Sequence, residues 1–198
     1  MRFSNMATRV VATTFVVVGL AACGSEPTTG PPHIPDEWVQ ILDEQLAEAD
    51  QVGEIPMIDG YAGCELFDPP EVGSGTPKPS GAGVSTFGED GERYICEFSE
   101  PPITFVIGRT ASAEGFTETT LSSDNPQVEM HEVAGVSIPV HVETYPNGRQ
   151  EQMAQIIDKQ RKVFVSADME TKPSDVLPKG WDTADTARML ADFVRSGD

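Results

Sequence analysis

Residues 94–107 read YICEFSEPPITFVI. Tyr94, Cys96 and Phe98 alternate with Ile95 and Glu97, and after Pro101 and Pro102 the residues Ile103, Phe105 and Ile107 alternate again. A period of two sends successive side chains to opposite faces of an extended chain, so both runs are predicted strands. Working outward, Val136, Ile138, Val140 and Val142 alternate with polar residues, and further strands are predicted at Val84–Phe87, Val128–Val133, Met153–Ile157 and Val163–Ala167, with GEDGE, PNG and DKQR as turns. Pro139 has no N–H to give to a ladder, which predicts an edge position for its strand.

The period changes at both ends of this region. From Asp36 to about Ala49, Trp38, Ile41, Leu42 and Leu46 fall at helical spacing with acids opposite, and Asp36 after Pro35 has the character of an N-cap. From Thr183 to Arg195, Ala187, Leu190, Phe193 and Val194 share one side, with Asp182 placed to cap. The expected class is α+β: an antiparallel sheet with an N-terminal and a C-terminal amphipathic helix on one face and the other face largely wet. The stretch DPPEVGSGTPKPSGAG, residues 68–83, is rich in Pro, Gly and Ser and is expected to be a loop. Its glycines do not make a phosphate cradle, because Lys78 is flanked by prolines instead of being followed by Ser or Thr.

Ahead of the first helix, Arg2 and Arg9 precede an apolar run from Val10 through Val18 to Ala22 with no acid in it. That order is the order of a signal peptide. The run is about 13 residues long, whereas a helix needs about 20 to cross a bilayer. Leu20, Ala21, Ala22 and Cys23, followed by Gly24 and Ser25, form a lipobox pattern, in which small residues suit a narrow peptidase cleft and the Cys23 thiol takes up a diacylglycerol. The expected division is therefore a lipoprotein signal peptide over residues 1–22, the lipidated Cys23 with a Pro/Gly-rich tether over 23–35, and a single extracytoplasmic domain over 36–198. Because a diacylated cysteine anchors stably, the chain is expected on the outer face of the bacterial cytoplasmic membrane.

The formal net charge is −19, and losing Arg2 and Arg9 with the signal peptide brings it to −21. That sign excludes nucleic acid, which is bound through Lys and Arg. It also predicts attachment to the membrane through the lipid on Cys23 and not through basic side chains on anionic headgroups. Basic proteins, cations and neutral glycans remain as partners. With Cys23 taken by the lipid, Cys64 and Cys96 are left in an oxidising compartment with only each other to pair with. Closing that 32-residue separation removes about 3.7 kcal/mol of unfolded-state entropy in the chain-entropy description.

The lipobox, the segment CELFDPPEV opening at Cys64, the CEF at Cys96 and the closing helix together resemble the actinobacterial lipoproteins of domain of unknown function 3558. The resemblance implies an envelope-facing domain in which Cys64 and Cys96 are the paired cysteines, and it implies no reaction. Phe98 stands where that family more often has Trp, and the C-terminal half carries no further cysteine.

One set of side chains has metal-ligand chemistry. A hairpin turning at Ala134 and Gly135, with residue 129 near residue 141, places Glu129, His131, His141 and Glu143 on one outward face. Ordinary polar alternation produces the same residues. There is no G-x-S-x-G and no S-x-x-K, and paired acids for glycoside cleavage are a matter of geometry alone among 32 carboxylates. The expectation is a non-catalytic envelope lipoprotein without a cofactor that binds or positions an envelope protein, glycan or lipid. The alternatives are a carrier holding an apolar ligand among Trp38, Phe105 and Phe193, and a metal-dependent hydrolase.

Overall fold

The computed structural model describes residues 31–52, 64, 67, 69–87, 91–110 and 121–196. The expected signal peptide, Cys23 and most of the expected tether lie outside them. The chain forms helix α1 (Asp36–Val52), strands β1 (Lys78–Phe87), β2 (Gly91–Ser99), β3 (Ile103–Thr110), β4 (Val128–Val133), β5 (Val136–Thr144), β6 (Gln150–Asp158) and β7 (Val163–Lys172), and helix α2 (Thr183–Ser196). All seven strands join in one antiparallel sheet of order β1-β2-β3-β7-β6-β5-β4. The fold is α+β, with both helices contacting the sheet.

The registers place one apolar surface across the sheet. Val84 pairs with Tyr94, Tyr94 with Ile107, Ile107 with Val165 and Val165 with Ile156, and all five are buried. Both helices cover this surface, and their aromatic side chains meet on it. The Phe193 ring of α2 stacks on Phe105 of β3 at 3.7 Å and meets Trp38 of α1 at 4.6 Å. Phe67 packs edge-on against Trp38 at 4.8 Å. The predicted helix stripes are the ones buried: Trp38, Ile41, Leu42 and Leu46 on α1, and Ala187, Leu190, Phe193 and Val194 on α2. Asp182 caps α2 as expected and does so reciprocally. Its carboxylate accepts from the Asp185 N–H and the Asp185 carboxylate accepts from the Asp182 N–H, each at 3.0 Å, so two otherwise orphaned donors are satisfied.

Cys64 and Cys96 form the disulfide, with a Cα separation of 5.6 Å. Both are fully buried beside Tyr94, whose pKa burial pushes up to about 12, so that its hydroxyl stays neutral at physiological pH.

Four expectations are corrected. The loop expected through Gly83 gives way to strand β1 from Lys78, because Ala82 and Val84 pack on the helix-side surface and an edge strand tolerates Pro79. β5 is not an edge strand but lies between β4 and β6. Its ladder to β6 runs from Val140 to Thr144. Since the Val142 N–H bonds to the β4 side at Gln127, alternation turns the Pro139 nitrogen toward β6, just past the end of that ladder, where no donor is needed. Third, Ile34, placed by sequence in the tether, is buried at 1% exposure, and Arg161 donates to its carbonyl, so the packed chain begins before Asp36. Fourth, the face away from the helices, expected to be largely wet, is covered at its centre: Gln155, Phe164 and Ser166 are buried on it, and the Leu121 N–H donates to Gln155 Oε1 at 3.2 Å.

Candidate functional site

The four residues of the expected metal cluster do not converge. Ala134 and Gly135 both have positive φ, at 50° and 83°, the conformation of a two-residue hairpin turn. A two-residue turn opposes Val133 to Val136, and hence Glu129 to Val140 and His131 to Ile138, while His141 opposes Val128. Opposed residues share a face, so Glu129 and His131 lie with Ile138 and Val140 on the helix side, and His141 and Glu143 lie on the other. The expected register differed by one residue, which is enough to move a whole strand's side chains to the opposite face. Glu129 accepts from the Thr183 hydroxyl of α2 at 2.5 Å, and His131 Nε2 is 3.6 Å from Glu129 Oε2. Among the described residues no three His, Cys, Asp or Glu side chains are grouped to hold a metal ion.

A different site forms on the face opposite the helices. One row runs across five neighbouring strands as Glu97, Thr104, Asp168, Met153 and His141, each opposed to the next. Beside it, Glu170 of β7 opposes Glu151 of β6, which opposes Glu143 of β5. Like charges directly opposed repel. Arg149, delivered by the β5–β6 turn, lies among them, bonding Glu151 and pairing with Glu170 at 3.1 Å, and its guanidinium lies 5.1 Å from the Tyr145 ring centroid. The Tyr145 hydroxyl donates to Glu151 Oε2 at 2.8 Å.

Where these rows meet the end of the sheet lies a groove of about 390 Å³, lined among others by Glu97, Thr104, Arg149, Glu151, Asp168 and Glu170. Gly81 of β1 is paired with Glu97, and a Cβ there would stand 2.6 Å from Glu97 Oε2. Asp168 is the half-buried acid in the middle of the sheet. Burial raises its pKa, Arg149 opposes that shift, Glu143 adds to it and His141 opposes it. The groove thus holds more carboxylates than the single guanidinium balances, with one of them inclined to keep a proton.

The cluster singled out by sequence contributes His141 and Glu143 to this face but missed Glu97, Glu151, Asp168 and Glu170. A signal for the last two is present in SADMET, residues 166–171, where Asp168 and Glu170 alternate with Ala167, Met169 and Thr171. The strand prediction stopped at Ala167, whereas the strand runs to Lys172.

Where a carrier's apolar ligand was expected, the Phe193 ring stacks on Phe105 and meets the Trp38 ring. Among the described residues no helix is long and apolar enough to cross a membrane. Comparison with protein-family models, with curated proteins and with solved structures gives no match to this chain.

Proposed function

We propose that this chain is a non-catalytic envelope lipoprotein, anchored through a diacylated Cys23, whose disulfide-stapled domain binds another envelope component at the groove on the open sheet face. The observation that carries the reading is the contrast between the two faces. The helix side is closed by the Phe105–Phe193–Trp38 stack, while the other side carries a concave surface with several uncompensated carboxylates around Arg149. Binding of a partner that brings positive charge relieves the repulsion among Glu143, Glu151 and Glu170. The lipobox at Leu20–Cys23 and the resemblance to the lipoproteins of domain of unknown function 3558 support the envelope address.

Native mass spectrometry of the detergent-extracted mature protein tests this first. The expected mass is that of a chain starting at Cys23 with an acyl-glyceryl modification and two protons fewer for the disulfide. An additional lipid-sized mass held without a covalent bond replaces this reading with that of a carrier. For the groove itself, a photo-crosslinker at Thr104 is expected to capture a component that Glu151→Lys no longer captures, whereas a crosslinker at Gln40 on the exposed side of α1 captures nothing affected by that change. Capture from Thr104 that is insensitive to Glu151→Lys refutes the groove as the binding surface.

A further inference from the structure

The chain meets the sheet at one end, and the groove lies toward the other. Arg161, in the turn between β6 and β7, donates to the Ile34 carbonyl and to Asp36 Oδ1 at 2.7 Å, and to Asp158 Oδ2 of its own turn at 2.7 Å. Ile34 is sealed in the core. The N-terminal segment is therefore pinned to the end of the sheet where β6 stops at Asp158 and β7 starts at Val163. Arg149, Glu151 and Glu170 belong to the opposite end, where β6 starts at Gln150 and β7 finishes at Lys172.

The lengths decide what each end can touch. The ten residues of β7 span about 30 Å at a strand's rise of about 3.3 Å per residue. From Cys23 to Pro32 the chain advances nine residues, which reach at most about 32 Å when fully extended. The end bearing Arg161 lies within reach of the bilayer at any span of the tether up to that limit, whereas the groove end comes within reach only near the limit itself. Charge acts in the same direction. At the pinned end acids and bases are interleaved, with Arg109 bonded to Asp43 and paired with Glu92, and Arg161 paired with Asp36 and Asp158. The groove end presents Glu97, Glu143, Glu151, Asp168 and Glu170 around Arg149, and an anionic headgroup layer repels it within a Debye length.

We infer that the domain stands on the membrane with its β6–β7 turn toward the bilayer, so that the groove is presented away from it to a component outside the headgroup layer. This inference rests on the lipid anchor proposed above. It is tested with the full lipidated protein in vesicles of phosphatidylglycerol and phosphatidylcholine containing a lipid with a headgroup-level nitroxide. A fluorophore is attached at Lys159→Cys in one sample and at Asn147→Cys in another; both are exposed turn residues, one at each end of the sheet. The label at 159 is expected to be quenched several times more strongly than the label at 147. Lipidated, vesicle-bound protein whose 147 label is quenched as strongly as the 159 label overturns the orientation and leaves the anchor standing. Protein whose mass shows no acyl group, and which does not float with the vesicles, removes the anchor and the orientation together.

Discussion

Replacing Phe193 by Ala puts the closed helix–sheet interface to a quantitative test. The side chain is 1% exposed and its ring meets Phe105 at 3.7 Å, Trp38 at 4.6 Å and Phe67 at 5.9 Å. It is the one side chain of α2 in ring contact with both α1 and the sheet. Truncating a buried Phe costs about 3–5 kcal/mol through lost transfer energy and the cavity left behind, and loss of several aromatic pairs, each about 0.5–1.5 kcal/mol, points to the upper part of that range. Against a total stability of about 5–15 kcal/mol, this is a large fraction. For a chain of this size it corresponds to a fall in Tm of about 10–15 °C, at about 2–4 °C per kcal/mol. Urea unfolding followed by circular dichroism gives the free energy, and a thermal scan gives Tm. The variant has a second expected property: a dry apolar cavity of this kind admits a small apolar molecule, so benzene is expected to raise the Tm of Phe193→Ala and leave the wild type unchanged. A loss below about 0.5 kcal/mol, the scale of a surface substitution, or a wild type already stabilised by benzene, refutes the filled core and favours a ligand chamber under the helices.

Four further outcomes are expected. Reducing the Cys64–Cys96 bond is expected to cost about 3–4 kcal/mol, from the chain entropy of a 32-residue separation, and urea unfolding with and without reductant measures it. Because burial raises the Asp168 pKa in the folded chain, the stability its proton contributes is fully present below the unfolded value near pH 4 and is lost as pH rises through the folded value. Asp168→Asn is therefore expected to raise Tm at pH 7 by an amount that shrinks on acidification, and a Tm at pH 7 below that of the wild type contradicts it. Arg161→Met is expected to cost about 1–2 kcal/mol, mainly through the Ile34 carbonyl and Asp158, because Asp36 is almost fully exposed and its pair adds little; hydrogen exchange near Ile34 should accelerate while the centre of the sheet stays protected. Zinc is expected to leave Tm unchanged, since Glu129 and His131 lie on one face and His141 and Glu143 on the other; a Zn²⁺-dependent rise lost in His141→Ala shows that the faces were assigned wrongly.

Local pattern was enough for much of this molecule. A period of two, or of three to four, is a property of neighbouring residues, so all seven strands and both helix stripes were legible, as was the Asp182 cap. The cysteine pairing was legible because only two partners remained. The extent of β1 was not, because Pro79, Gly81 and Gly83 carry loop signals in sequence and become acceptable only once the strand is known to lie at the sheet edge. Pro139 failed in the converse way: its missing N–H requires the absence of an acceptor on one side, and that absence arises from where the β6 ladder ends, not from an edge.

The site shows the same division more sharply. Sequence alone determined which side chains carry charge, that acids outnumber bases 32 to 13, and which residues alternate along each strand. Only the tertiary structure decided that Glu97, Glu143, Glu151, Asp168 and Glu170, drawn from four strands, share one face with Arg149. Only it decided that Glu129 and His131 do not. The physical reason is that alternation defines two faces for each strand separately, while the matching of faces between strands is set by turn length and register, where one residue reverses the answer. Strand order then brings β3 beside β7 and makes neighbours of residues more than sixty positions apart, a pairing governed by how the whole apolar surface closes under the two helices.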